Sequence, residues 1–257
     1  MITDPTSPPP PNEFELLIRN HQGWQVMEDY GNLLKQRPLP REALKIYFAN
    51  QMLTAWEVPP GILALSVRVS DDWMDRDPFA AHAVAAKTLL AGIHEYGLHA
   101  PERLGFAKPH FVLLKEAHQS WGFDAEELHR LRDSADILPE AHELSRCIHE
   151  YMRVRPVAQG IGAHMAIEVT ADREWELNYL AFSHLWQAYG LSGPASPAIG
   201  FYDIHTEQEP LHARLTADLA QTYADLGLRE DVLAGVSSFL EVWARWIHAI
   251  HNFVARA

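Results

Sequence analysis

The sequence predicts an all-α protein folded as a single bundle of seven to nine helices. Three observations carry that prediction. Apolar residues recur three and four positions apart through most of the chain, the spacing that gathers them on one helix face. Proline and glycine fall mostly at the borders of these segments, where they start and stop helices. No alternating apolar–polar run bounded by hairpin turns, no internal repeat and no linker divides the chain.

Residues 1–12, MITDPTSPPPPN, lack a basic and an apolar region and read as a disordered, proline-rich leader. Residues 13–257 read as one helical domain. Glu13–Leu34 carries Phe14, Leu16, Leu17, Trp24, Met27, Tyr30 and Leu33 at helical spacing, and Pro38–Pro40 ends it. A helix then starts at Arg41, and Pro59-Pro60-Gly61 interrupts or kinks it before an apolar stretch to Val69. Asp77-Pro78 opens the next, which ends near Gly97. A loop leads to a helix from about His110 to Trp121, closed by Gly122, and Asp124 caps the segment after it. Helices follow over Pro139–Arg153 and Ala158–Tyr189. The loop GLSGPASPAIG precedes a helix running to about Leu226, and Arg229–Ala257 is the last. In that last helix Trp243, Trp246, Ile247, Ile250 and Phe253 form a stripe suited to the core or to a homodimer interface.

With 47% hydrophobic and 21% charged residues the chain can fill a core. The 34 acidic against 21 basic residues leave a net charge of −13, which repels phosphate and argues against nucleic-acid or anionic-membrane partners. No apolar run reaches the roughly 18 residues that a transmembrane helix requires. Cys147, the single cysteine, cannot form an internal disulfide, so a reducing, cytoplasmic location is expected. It reads as a small buried hydrophobe.

Chemistry concentrates in GFYDIHTEQEPLH, which holds His205, Glu209 and His212. Offsets of four and seven put the three side chains within about 60° of one helix face. Two imidazoles and a carboxylate so placed can grip a transition-metal ion, although three polar side chains also suit a solvated face. HEYGLH offers His94, Glu95 and His99, but histidines five apart lie about 140° around a helix and cannot share a metal. Glu95 ends an otherwise apolar, alanine-rich helix. Glu168 lies among Gly162, Ala163, Met165, Ala166, Ile167 and Val169, where a buried carboxylate requires a partner or a cation. His164, one turn earlier, is a candidate ligand or ligand-supporting donor, with a core or surface histidine as the plainer reading. Asp172, Glu174 and Glu176 read as solvated.

These segments together resemble the haem-oxygenase-like diiron oxidases, built on the helical scaffold shared with thiaminase II and pyrroloquinoline-quinone synthase. The resemblance covers most of the chain from about Leu33. It rests on LPREALKIYFANQM, on HEYG, on His110 with Leu113, Leu114 and Gly122, on Ala163–Glu168, and on His205-x3-Glu209-x2-His212. It implies metal ligands at Glu95, His110, Glu168, His205, Glu209 and His212, with His99 open as a replacement for His110. The family's Asp stands here as Glu209. Pro210 follows it directly, so the ligand helix is expected to kink or loosen there.

The resemblance further implies two iron ions per chain, cycling between Fe(II) and Fe(III), with dioxygen as co-substrate. The expected activity is oxidation of a small organic substrate in a biosynthetic pathway, by N-oxygenation or C–C cleavage of an amino acid, amine or fatty acid. No catalytic residue is expected beyond the ligands. Trp56, Glu57, Tyr96, Tyr179, Trp186 and Tyr202 are candidates for the substrate pocket, with ordinary core packing as their alternative. Two other readings compete: a metal-free hydrolase or cofactorless oxidase on the same scaffold, and a non-enzymic helical binding protein. Cys147 lies away from every segment above, which counts against a catalytic thiol.

Overall fold

The computed structural model describes residues 11–98, 108–190 and 197–257, and these are all-helical. The elements are α1 (Glu13–Arg19), α2 (Gln22–Gln36), α3 (Arg41–Trp56), α4 (Val58–Met74), α5 (Pro78–Glu95) and α6 (His110–Ser120). They continue with α7 (Ala125–Leu131), α8 (Pro139–Arg153), α9 (Val157–Leu185), α10 (Pro197–Tyr223) and α11 (Arg229–Arg256). Most of the proline-rich leader, residues 1–10, lies outside the described residues, as does the segment 99–107 that contains His99.

The borders follow local chemistry. The stretch expected as one helix from Glu13 is two. Asn12 and Glu15 form a reciprocal capping box on α1, and His21 Nδ1 accepts from Gly23 N (3.2 Å) to start α2 afresh. Val58-Pro59-Pro60 does more than kink a helix. It founds α4, whose first turn tolerates prolines because those N–H groups have no helical partner. Asp77 and Asp124 cap α5 and α7 through their side chains. A single π turn, Ala224–Leu228, joins α10 to α11, and Gly227 supplies the left-handed φ of 84° it requires.

Helix α9 is the axis. At 29 residues it is about 43 Å long, and α1, α2, α4, α8, α10 and α11 all pack against it. From Gly160 to Thr170 every side chain is buried, which is possible because the segment is small or apolar almost all round. Glycines let two neighbours approach backbone to backbone. A Cβ on Gly162 would lie 2.1 Å from the Val232 carbonyl oxygen of α11, and one on Gly235 of α11 would lie 2.0 Å from that of Gln159. The aromatic stripe of α11 turns inward: Trp243, Trp246, Ile247 and Ile250 are buried and Phe253 packs on the same core.

Helix α10 continues through Pro210, which lies inside it and leaves the Thr206 carbonyl without its helical N–H partner. Neighbours hold it on both sides of the proline: His205 lies by His110 and Trp175 before it, and His212 by His94 and Glu168 after it. No helix among the described residues is long and apolar enough to cross a membrane.

Candidate metal centre

The three polar residues of α10 face inward and are almost fully buried, at 3%, 3% and 1% exposure for His205, Glu209 and His212. That excludes the solvated-face reading. They do not converge on one point, however. His205 joins Glu95 and His110, while Glu209 and His212 join Glu168. Within each cluster the donor atoms lie within 4.8 Å of one another. The six residues named from the sequence are therefore brought together as two adjoining clusters drawn from four helices.

The first cluster gathers around Glu95 Oε1, which is 3.1 Å from His110 Nδ1 and 3.7 Å from His205 Nε2. Glu95 is the last residue of α5 and His110 the first of α6. The C-terminal end of α5 favours a cation beside Glu95, and the N-terminal end of α6 favours His110 as a neutral imidazole able to ligate it. His205 Nδ1 donates to the Phe201 carbonyl at 2.7 Å, which leaves Nε2 as the lone-pair nitrogen facing the cluster. His110 thus stands at the site, while His99, its alternative, lies outside the described residues.

In the second cluster His212 Nδ1 is 3.6 Å from Glu168 Oε2 and 3.5 Å from Glu209 Oε2. Two partners absent from the expected ligand set support it. His94 Nδ1 lies 2.9 Å from His212 Nε2, and His164 Nε2 lies 2.7 Å from Glu168 Oε1. His164 is fully buried, so it supports the ligand and is no surface histidine. His94 was legible only as half of a rejected motif, because its role depends on a residue 118 positions away.

Glu209 links the clusters. Its Oε1 is 3.8 Å from His205 Nε2, and its Oε2 faces His212. Oε2 is buried without a hydrogen-bond partner, the condition of a carboxylate oxygen awaiting a cation.

The electrostatics follow. Burial opposes ionisation of Glu95 and Glu168, but their histidine neighbours outweigh it and hold both carboxyls below the usual range. Burial and the Glu168 charge raise Glu209. Burial resists charging His212, yet Glu168 and Glu209 raise it to about 10. Three carboxylates and three imidazoles in a buried space form a donor set of mixed oxygen and nitrogen that suits iron, manganese or zinc. Two cations would satisfy the carboxylates without those protons, so the residues fit such a pair.

A cavity of about 90 Å³ opens onto Glu95, His110, Glu168, His205 and Glu209. It has room for several waters or one small molecule. Its walls include Ile167, Trp175, Phe239, Trp243 and Trp246, and also Glu174. None of the six side chains expected at a substrate pocket lines this cavity, and Trp56 lines a second one with Phe111. Trp56 is 42% exposed and packs on Phe111, Glu57 pairs with His149 and Arg153, and Tyr96 is 45% exposed. Tyr179 and Trp186 are half-buried. Tyr202 is buried beside Trp175, with its hydroxyl on Gln51. Glu174, read as solvated, faces the cavity instead: burial raises its carboxyl to about 7. The sequence could not reveal this, because Asp172 and Glu176 on either side do look polar.

No family model matches this chain, and no curated protein matches it.

Proposed function

We propose that the chain is a non-haem diiron enzyme that uses dioxygen to oxidise a small organic molecule. The observation that carries this reading is the pair of clusters joined through Glu209 at the wall of one cavity. Glu95, His110 and His205 would hold one ion, Glu168 and His212 the other, and Glu209 would offer an oxygen to each. Bound there, two iron ions would supply the redox capacity to activate dioxygen.

The remaining work falls to the chain's own residues. His94 and the Phe201 carbonyl fix the ring orientations of His212 and His205. His164 holds one Glu168 oxygen, which leaves the other for the centre. Trp175, Phe201 and Trp246 present apolar surface that limits water in the cavity. A thiol-based reaction on the same scaffold is disfavoured: Cys147 lies in a separate cavity, and burial raises its thiol to about 12.

The test is metal content after anaerobic ferrous loading, followed by rapid mixing with dioxygen. Two irons per chain and a transient visible absorption on mixing are the expected results. Absence of iron above background, with His205→Ala no different from the parent chain, would remove the proposal.

A further inference from the structure

The cavity beside the clusters contains a carboxylate that the metal centre does not use. Ile167, Ala171 and Glu174 recur at helical spacing along α9 and line it together, so the cavity runs along the helix. Glu174 is six residues beyond Glu168, which separates the two by about 9 Å along the helix axis. The other carboxylates of the cavity, Glu95, Glu168 and Glu209, all have histidine neighbours. Glu174 makes no ion pair among the described residues; the Trp243 indole is near it, and the Glu174 charge also reaches the buried hydroxyls of Tyr30 and Tyr47. That indole approaches too loosely for a hydrogen bond, and Trp243 Nε1 remains a buried donor without a partner. Among the described residues, no lysine or arginine lines the cavity.

An unneutralised carboxylate in an apolar, aromatic wall is costly unless a cation joins it. Among the described residues the wall offers a substrate carboxylate no lysine or arginine, while the Trp243 and Trp246 indoles that line it suit a cationic group. We propose that Glu174 anchors the ammonium group of the substrate, so that the cavity takes a small primary amine with an apolar body. The 9 Å step along α9 places the amine's far end, several carbons away, at the Glu/His clusters. What becomes of that end rests on the diiron reading; the anchoring of the ammonium does not. The raised pKa of Glu174 agrees with a carboxyl kept from water and completed by a ligand.

The test is calorimetric titration with three isosteric probes, n-pentylamine, 1-pentanol and pentanoate, under argon. Metal-free and ferrous-loaded chains are compared, with iron content measured separately. Pentylamine is expected to bind the ferrous-loaded chain best of the three, and Glu174→Gln to weaken it by about tenfold or more with iron content unchanged. Equal binding of pentylamine by the iron-loaded Glu174→Gln chain, or a preference for pentanoate in the parent chain, would overturn the proposal while leaving the metal centre intact. If no iron loads, the diiron reading fails on its own. The metal-free titration then decides the anchor: a Glu174-dependent preference for the amine upholds it, and no preference sinks it. Should Glu174→Gln fail to fold, the ranking of the three probes on the parent chain still decides.

Discussion

His94 Nδ1 stands 2.9 Å from His212 Nε2, so the penultimate residue of α5 fixes the ring of a candidate ligand on α10. Removing the outer member of such a pair typically lowers metal affinity 10- to 100-fold. His94→Leu is therefore expected to weaken the Glu168/Glu209/His212 cluster by about that factor and to leave the Glu95/His110/His205 cluster occupied. Equilibrium titration with ferrous or manganous ion would then resolve one strong and one weakened site. Two unchanged sites would mean that His94 only fills space.

Metal uptake should expel protons. Glu209 and His212 both bind protons more tightly in the fold than they would in water, and a cation competes for the same positions. Affinity is therefore expected to rise with pH between 6 and 8, by about tenfold per pH unit for each proton displaced. Calorimetry in buffers of different ionisation enthalpy counts those protons directly.

His118 makes the fold sensitive to acid. Its ring is buried against Phe48, neither nitrogen has a hydrogen-bond partner among the described residues, and burial lowers its pKa to about 3. A histidine depressed in the folded state contributes stability above its unfolded value near 6.5, and that contribution falls as pH drops toward 3. At pH 5 the loss is about 2 kcal/mol. Denaturant titrations at pH 7 and pH 5 should give a smaller difference for His118→Leu than for the parent chain, by about that amount.

Glu174 has the opposite sign. Its pKa rises from 4.5 to about 7 in the fold, so stability is full at low pH and is lost as pH climbs through that range. Allowing for its partial exposure to the cavity, the cost at pH 8 is about 2 kcal/mol. Glu174→Gln is expected to raise the Tm at pH 8 and to have little effect at pH 4. A stabilised variant that binds amines poorly is the trade expected of a residue kept for its ligand.

Gly162→Ala should destabilise strongly, because the new Cβ would lie 2.1 Å from the Val232 carbonyl and backbone cannot swing aside as a side chain can. A loss of about 3 kcal/mol or more is expected, measurable by denaturant melts. A change below about 1 kcal/mol would show that α9 and α11 pack less tightly than described.

Much of this was legible in the sequence because helical spacing and helix caps are local properties. Pro78, Pro139 and Asp124 marked their helix starts, and the offsets within His205–His212 put three donors on one inward face. The same offsets did not reveal that one helix feeds two clusters. That division depends on where α5 and α6 end relative to α10, a relationship between distant elements. Glu174 was misread because solvation was inferred from its sequence neighbours, whereas a helix only half in contact with the core alternates exposed and enclosed positions. Trp175, Trp243 and Trp246 were not legible as cavity residues, because they line it through the way α9 and α11 interlock.

That interlock gives the two long helices different mechanical parts. Helix α9, pinned to α11 where Gly162 meets Val232 and Gln159 meets Gly235, acts as the fixed jaw of a vice and sets where Glu168 stands. Helix α10 is the sliding jaw: Pro210 lacks the N–H that would bond back to the Thr206 carbonyl, so one rung is missing between the two halves of its ligand face. A small opening at that rung would part Glu209 and His212 from Glu168 while the bundle stayed whole. Loading of the ion between them could then proceed without unfolding the protein, and amide exchange around residue 210 should slow once it is in place.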